Sequence, residues 1–193
     1  MLLILSTPKT QVKTIKLCAF ATSLFAFVYS LFLFVLFDSS TSKFQFLEYL
    51  EWLPSLNLHL FVGVDGISVF FILLSTFLVS LCVLASWGSV VKCEKEYYIC
   101  FLSMGSLLIF VFSVLDVLVF YVFFESILIP MFFVIGIWGS RTRKIKAAYQ
   151  FFIYTLVGSV LMLLAIFLIY FEAGTTDFQL LLNVSFSEKK QMV

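Results

Sequence analysis

Charge is what this chain lacks most. Of its 193 residues only 12% are Asp, Glu, Lys or Arg, against 63% that are apolar, and the mean hydropathy is +1.14. A soluble domain of this length needs a charged exterior, so a water-soluble core is excluded and a polytopic membrane protein is indicated. A net charge of +1 leaves no concentrated basic surface, which excludes nucleic acid as a partner. Cysteine and histidine are equally thin. Cys18, Cys82, Cys93 and Cys100 show no C-x-x-C spacing, and His59 stands alone just before an apolar run. Nothing in them frames a metal site, a disulfide or a redox centre. The opening Met-Leu-Leu-Ile-Leu is too short for the apolar segment of a signal peptide, so no cleavable leader is expected.

What the chain has in abundance is long apolar runs. Stretches of about 20 residues, enough to cross a bilayer, cover 17–37, 66–87, 97–115, 116–138 and 147–170. They predict an all-α bundle of five transmembrane helices in a single membrane domain, itself an incomplete half of a larger bundle. One helix over 97–138 would be about 60 Å long, about twice the hydrocarbon thickness. The chain therefore reverses near Ser113 to Asp116, where the Asp116 carboxylate sits at a headgroup boundary and complements the dipole of the next helix. The apolar residues between Phe178 and Phe186 are too few to span and predict a short interfacial helix over 175–187.

Five spans sort the basic residues into alternating loops. Lys9, Lys13, Lys16, Lys92, Lys95, Arg141, Arg143, Lys144 and Lys146 fall on one side, and Lys43, Lys189 and Lys190 on the other. By the positive-inside rule the nine face the cytoplasm or the mitochondrial matrix. Arg141, Arg143, Lys144 and Lys146 read as a topology determinant or a contact with anionic lipid headgroups, such as those of cardiolipin.

Against this background Glu125 stands out. It lies about 13 Å from one end of its span and about 20 Å from the other, at a depth where an ionisable side chain costs roughly 2.5–3.5 kcal/mol on insertion scales. Pro130 removes the donor for the Ser126 carbonyl, which predicts a loosened, hydrated turn beside the carboxyl. A carboxyl balanced between burial, which favours its neutral form, and a nearby cation, which favours its charged form, exchanges protons near neutral pH. No Lys or Arg lies within a span, so an intramembrane cation for Glu125 must come from another polypeptide. The bland alternative is a protonated Glu125 that hydrogen-bonds a neighbouring helix. Asp65 opens a span, where Asp is a common N-cap. Tyr149, Gln150, Tyr154, Thr155 and Ser159 place polar groups in the fifth span, either as a hydrated path or as helix-to-helix hydrogen bonds.

The stretches Gly63-Val-Asp-Gly-Ile-Ser-Val-Phe-Phe71, Phe120-Tyr-Val-Phe-Phe-Glu-Ser-Ile-Leu-Ile-Pro-Met131 and Trp138-Gly-Ser-Arg-Thr-Arg-Lys-Ile-Lys-Ala-Ala-Tyr-Gln-Phe-Phe152 resemble subunit 4 of NADH dehydrogenase. This is the antiporter-like membrane subunit of respiratory complex I, and the resemblance runs from about Gln11 to the last residue, closest to mitochondrial forms. It implies proton translocation coupled to NADH:ubiquinone oxidoreduction, a place in the mitochondrial inner membrane with the basic loops facing the matrix, and membrane-arm subunits as partners. NAD, FMN, iron-sulfur clusters and ubiquinone would reside elsewhere in the complex, with no cofactor in this chain. The family's proton-path glutamate falls at Glu125, and its partner is a lysine on the seventh helix.

The resemblance covers only the second to sixth helices of fourteen. The first is reduced to Met1 to Ser6, and the sequence stops where the seventh would begin. The expectation is a split subunit whose C-terminal half is a separate chain. Two other functions share these features: a structural scaffold of the membrane arm that transports nothing, and a subunit of a multi-subunit cation/proton antiporter.

Overall fold

The structure, a computed structural model, describes residues 11–41, 43–53, 58–90 and 92–184. Lys9, Lys189, Lys190, the Met1 to Ser6 stub and the last three residues of the interfacial helix expected over 175–187 lie outside the described residues. Five helices are long and apolar enough to cross a membrane: α1 (Val12–Leu36), α2 (Gly66–Ala85), α3 (Glu94–Ser113), α4 (Val117–Trp138) and α5 (Lys144–Ala173). Their ends depart from the apolar runs. α1, α3 and α5 begin among Lys13, Lys16, Glu94 and Lys146, because helical backbone continues into the interface where water solvates such side chains. α2 ends at Ala85, leaving Trp87 in the turn beyond. After α5 the described chain forms only one turn, α6 (Phe178–Leu181).

The bundle is joined by an antiparallel hairpin that the hydropathy pattern does not announce. Strand β1 (Gln45–Leu53) pairs with β2 (Leu58–Val64), setting Tyr49 opposite Phe61 and Leu50 opposite Leu60. Phe46, Tyr49, Phe61, Val62 and Val64 are aromatic or β-branched, types that suit a pleated surface. The segment is too short to span, so its backbone amides pair with each other.

β2 then extends sideways. Leu115 N–H donates to the Phe61 carbonyl (2.8 Å), Phe178 N–H donates to the Leu115 carbonyl (2.8 Å), and Val117 N–H donates to the Thr176 carbonyl (3.0 Å). An extended seam thus gathers the hairpin, the α3–α4 junction and the segment after α5 at one end of the bundle. Gly63 makes this contact close: a Cβ there would lie 2.6 Å from Leu115 Cδ1 and 2.7 Å from Leu47 Cδ2. At the other end the α2–α3 turn meets the start of α1 and the end of α4. Lys16 Nζ lies 3.1 Å from Glu94 Oε2 and donates to the Trp87 carbonyl (2.8 Å), while Trp138 Nε1 donates to the Lys92 carbonyl (2.7 Å).

Packing between the spans follows chain order: α1 on α2, α2 on α3, α3 on α4 and α4 on α5, with a further contact of α1 on α3. The interior is small. Ile15, Ala19, Val83 and Tyr98 form one cluster, and Val64, Val69 and Ile72 another. Gly105 lets α3 approach α2, since its Cβ would stand 3.0 Å from Val79 Cγ2. Hydroxyls inside the spans bond back to carbonyls of their own helix. Ser30 and Thr76 also bond each other across α1 and α2 (2.9 Å). Large apolar side chains remain exposed on every span, as they do where lipid or another polypeptide replaces water.

Candidate functional site

α4 positions Glu125. The helix starts at Asp116, whose Oδ1 accepts from Leu118 N–H (2.9 Å) and Val119 N–H (3.0 Å), and it runs without a break through Pro130 to Trp138. Pro130, where a loosened turn is expected, lies inside that helix. Pro130 is buried, and the Ser126 hydroxyl donates one turn back to the Val122 carbonyl (2.7 Å), within regular helix. Glu125 then falls about 12 Å along the helix from Val117 and about 20 Å from Trp138.

The rings of Phe132 and Tyr149 lie 5.3 Å apart, those of Phe132 and Phe152 5.6 Å, and a Cβ on Gly136 would stand 3.7 Å from that of Ala148. These contacts define the face of α4 that packs on α5. Glu125 precedes Phe132 by two helical turns and shares that face. The antiparallel register carried back from these contacts sets it level with residues 156–159 of α5. On the same helix Phe123 stacks on Phe110 at 4.9 Å and Phe124 on Phe120 at 6.0 Å.

In this setting Glu125 Oε2 is sealed from solvent and has no hydrogen-bond partner among the described residues. The hydroxyls at its level do not offer one. Ser159, buried on α5, donates to the Leu156 carbonyl (2.9 Å), and Thr155 donates to the Phe151 (2.8 Å) and Phe152 (3.0 Å) carbonyls. Both keep only acceptor capacity for a neighbour. A buried oxygen of this kind needs either a proton of its own or a donor from outside the described chain. Among the described residues every lysine and arginine lies at a helix end or in a connection.

The other sequence candidates separate by position. Tyr149 is exposed and rests against Phe132, and Tyr154 is 83% exposed on the far side of α5, so the polar residues of this span do not line one path. Asp65 caps α2, accepting from Ser68 N–H at 2.7 Å. Asp116 does more than complement a dipole: it is buried, and its Oδ2 accepts from the Thr176 hydroxyl at 2.6 Å, tying the start of α4 to the end of α5. Thr176 was not legible as its partner, because nothing local links residues 60 apart in the chain. In the basic loop Arg141, Arg143 and Lys146 are exposed, whereas Lys144 Nζ donates to the Ile137 carbonyl and closes the end of α4. No group of three or more metal-ligating side chains occurs among the described residues.

Residues 114–193 match the family described as NADH:quinone oxidoreductase/Mrp antiporter, TM. Over 191 residues the chain is 55% identical to NADH-ubiquinone oxidoreductase chain 4 of Arabidopsis thaliana, covering 99% of this chain and 39% of that one. The corresponding protein of Marchantia polymorpha is 54% identical over 192 residues, covering 100% and 39%. The fold matches a chain of respiratory complex I from Thermus thermophilus with bound NADH at a TM-score of 0.80 and 28% identity, covering 97% of this chain and 37% of that chain. A chain of the archaeal membrane-bound sulfane sulfur reductase shares the fold at a TM-score of 0.67 with 19% identity, covering 86% of this chain and 25% of that one. The sequence spans about two-fifths of the length of the curated relatives it matches. On these grounds the chain is a multi-pass membrane protein that belongs to the family of NADH-ubiquinone oxidoreductase chain 4, of which it represents an N-terminal part.

Proposed function

We propose that this chain is the N-terminal portion of the antiporter-like subunit 4 of respiratory complex I in the mitochondrial inner membrane, its basic loops facing the matrix. There Glu125 takes up and releases a proton on a path coupled to NADH:ubiquinone oxidoreduction. The observation that carries this is the buried, unpartnered Oε2 of Glu125 on the face between α4 and α5. An ionisable group at that depth is functional by default. The cation or donor that completes the site comes from the remainder of the family's length or from a neighbouring membrane-arm subunit. Arg141, Arg143 and Lys146, exposed at the membrane edge, meet anionic headgroups such as those of cardiolipin. Flavin, iron-sulfur clusters, NAD and quinone belong to other subunits.

The test is Glu125→Gln in the assembled complex, which keeps the side chain's size and removes its titration. Protons translocated per NADH oxidised are expected to fall while the amount of assembled complex stays unchanged. An undiminished ratio overturns the role given to Glu125. A loss confined to assembly makes the chain a scaffold instead.

A further inference from the structure

A groove walled by α2 and α3 alone runs along the surface of the bundle. Its walls are two stripes at helical spacing: Leu74, Leu78 and Cys82 of α2 face Phe101, Met104 and Leu108 of α3. The one hydroxyl in it, that of Ser75, donates to the Ile72 carbonyl of its own helix (2.9 Å). An occupant therefore meets almost nothing but apolar contact. At the end near the hairpin the groove is bounded by the stacked rings of Phe71 and Phe112, 5.1 Å apart. From Phe71 to Cys82 it extends about 16 Å along α2, close to half of the roughly 30 Å hydrocarbon thickness, the depth of one leaflet. Its space, open side included, is about 740 Å³, a mean section of about 45 Å² against about 80 Å² for an α-helix 10 Å across. A slim hydrocarbon chain fits such a slot, and a packed helix does not.

The other end leads to a different chemistry. One turn beyond Phe101, the Tyr97 ring rests against Phe101 at 4.7 Å and against Trp138 at 5.2 Å, and Trp138 Nε1 donates to the Lys92 carbonyl (2.7 Å). Lys92 is exposed, and its ammonium has no partner among the described residues, whereas Lys16 nearby is held by Glu94 at 3.1 Å. Tyrosine, tryptophan and lysine grouped at a helix end are the residues that sit at headgroup level.

We propose that this groove is a phospholipid site: one acyl chain lies between α2 and α3, and the phosphate meets Lys92 in the leaflet on the side of the α2–α3 turn. A chain seated there touches protein along two walls, where a chain on a convex helix face touches one, so its dispersion contacts are correspondingly more numerous. The lipid is thus held through conditions that strip the rest of the shell. Nothing in this assignment depends on the proton role of Glu125.

The test loads membranes containing the assembled complex with phosphatidylcholine that carries a diazirine at mid-chain. The complex is illuminated before or after extensive detergent washing, and the labelled peptides are mapped by mass spectrometry. Before washing, label is expected both on the groove and on the outer face of α1 around Phe25 and Phe32, which are 73% and 61% exposed. After washing, it should persist on peptides holding Leu78, Met104 and Leu108, as intact phospholipid, and fall at least several-fold on α1. Met104→Trp, which fills the slot, and Lys92→Gln, which removes the charge at its mouth, should each lower the retained label several-fold. Unchanged labelling of α1 before washing shows that the variants still fold. Equal loss from groove and α1 makes this an ordinary shell contact and overturns the proposal. So do a groove that never labels, label held as free fatty acid, and retention that neither variant alters.

Discussion

Two carboxylates nine residues apart on one stretch of chain have opposite environments, and the difference lies in donors rather than depth alone. Asp116 accepts from two backbone amides and from Thr176, so its charge is met by hydrogen bonds even though it is buried. Glu125 Oε2 is buried with none. The contrast gives Asp116 a capping and tethering role and leaves Glu125 Oε2 without a hydrogen-bond partner among the described residues. Replacing Asp116 with Ala should destabilise the chain by about 1–3 kcal/mol, the range for losing a helix cap together with a buried bond to a charged group. Thr176→Val should cost about 1 kcal/mol, since the cap survives. Unfolding of the detergent-solubilised protein in denaturant checks both. Equal losses would show that the Thr176 bond, and not the cap, dominates.

Between elements, close approach is set by small residues and by the extended seam. At Gly105 the contact with Val79 leaves little room for a side chain. Gly105→Leu should therefore force α2 and α3 apart and destabilise the chain by about 1–3 kcal/mol, the usual result of overpacking. Val79→Ala introduced with it should recover part of that loss, and the non-additivity of the pair in a double-mutant cycle is the measurement. The hairpin shows how an element escapes a hydropathy reading. Its strands carry Leu, Phe and Val at a density like that of the spans, yet 45–64 is divided by Pro54 to Asn57 and offers no uninterrupted run of spanning length. Strand and short buried helix are not separable by periodicity in such a segment. What favours strands is the nearby backbone of 114–116, which continues the ladder.

Across the whole molecule, five spans set the parity of every connection. The hairpin, the α3–α4 junction and the segment after α5 gather at one end, while the α2–α3 turn meets the start of α1 and the end of α4 at the other. Cys93, exposed in the α2–α3 turn, should therefore react with a membrane-impermeant thiol reagent from one side of sealed vesicles only. A cysteine placed at Ser40, beyond the end of α1, should react only from the other. Cys18, Cys82 and Cys100 lie within spans and should stay unlabelled from both. Labelling of Cys93 and Ser40→Cys from the same side would refute the five-span arrangement.

The number of spanning-length helices, the reversal at Asp116 and the place of Glu125 well inside its helix were legible from residues alone, because the bilayer imposes one length scale on every apolar run. Sequence could also tell that the apolar runs 17–37, 66–87, 97–115, 116–138 and 147–170 hold no lysine or arginine. It could not tell that Asp116 is satisfied by Thr176, that Lys144 caps α4 while its basic neighbours stay exposed, or that Ser159 and Tyr154 point to different sides of one helix. Those outcomes depend on which faces of α4 and α5 meet and on contacts between residues far apart in the chain, and only the tertiary structure decides them.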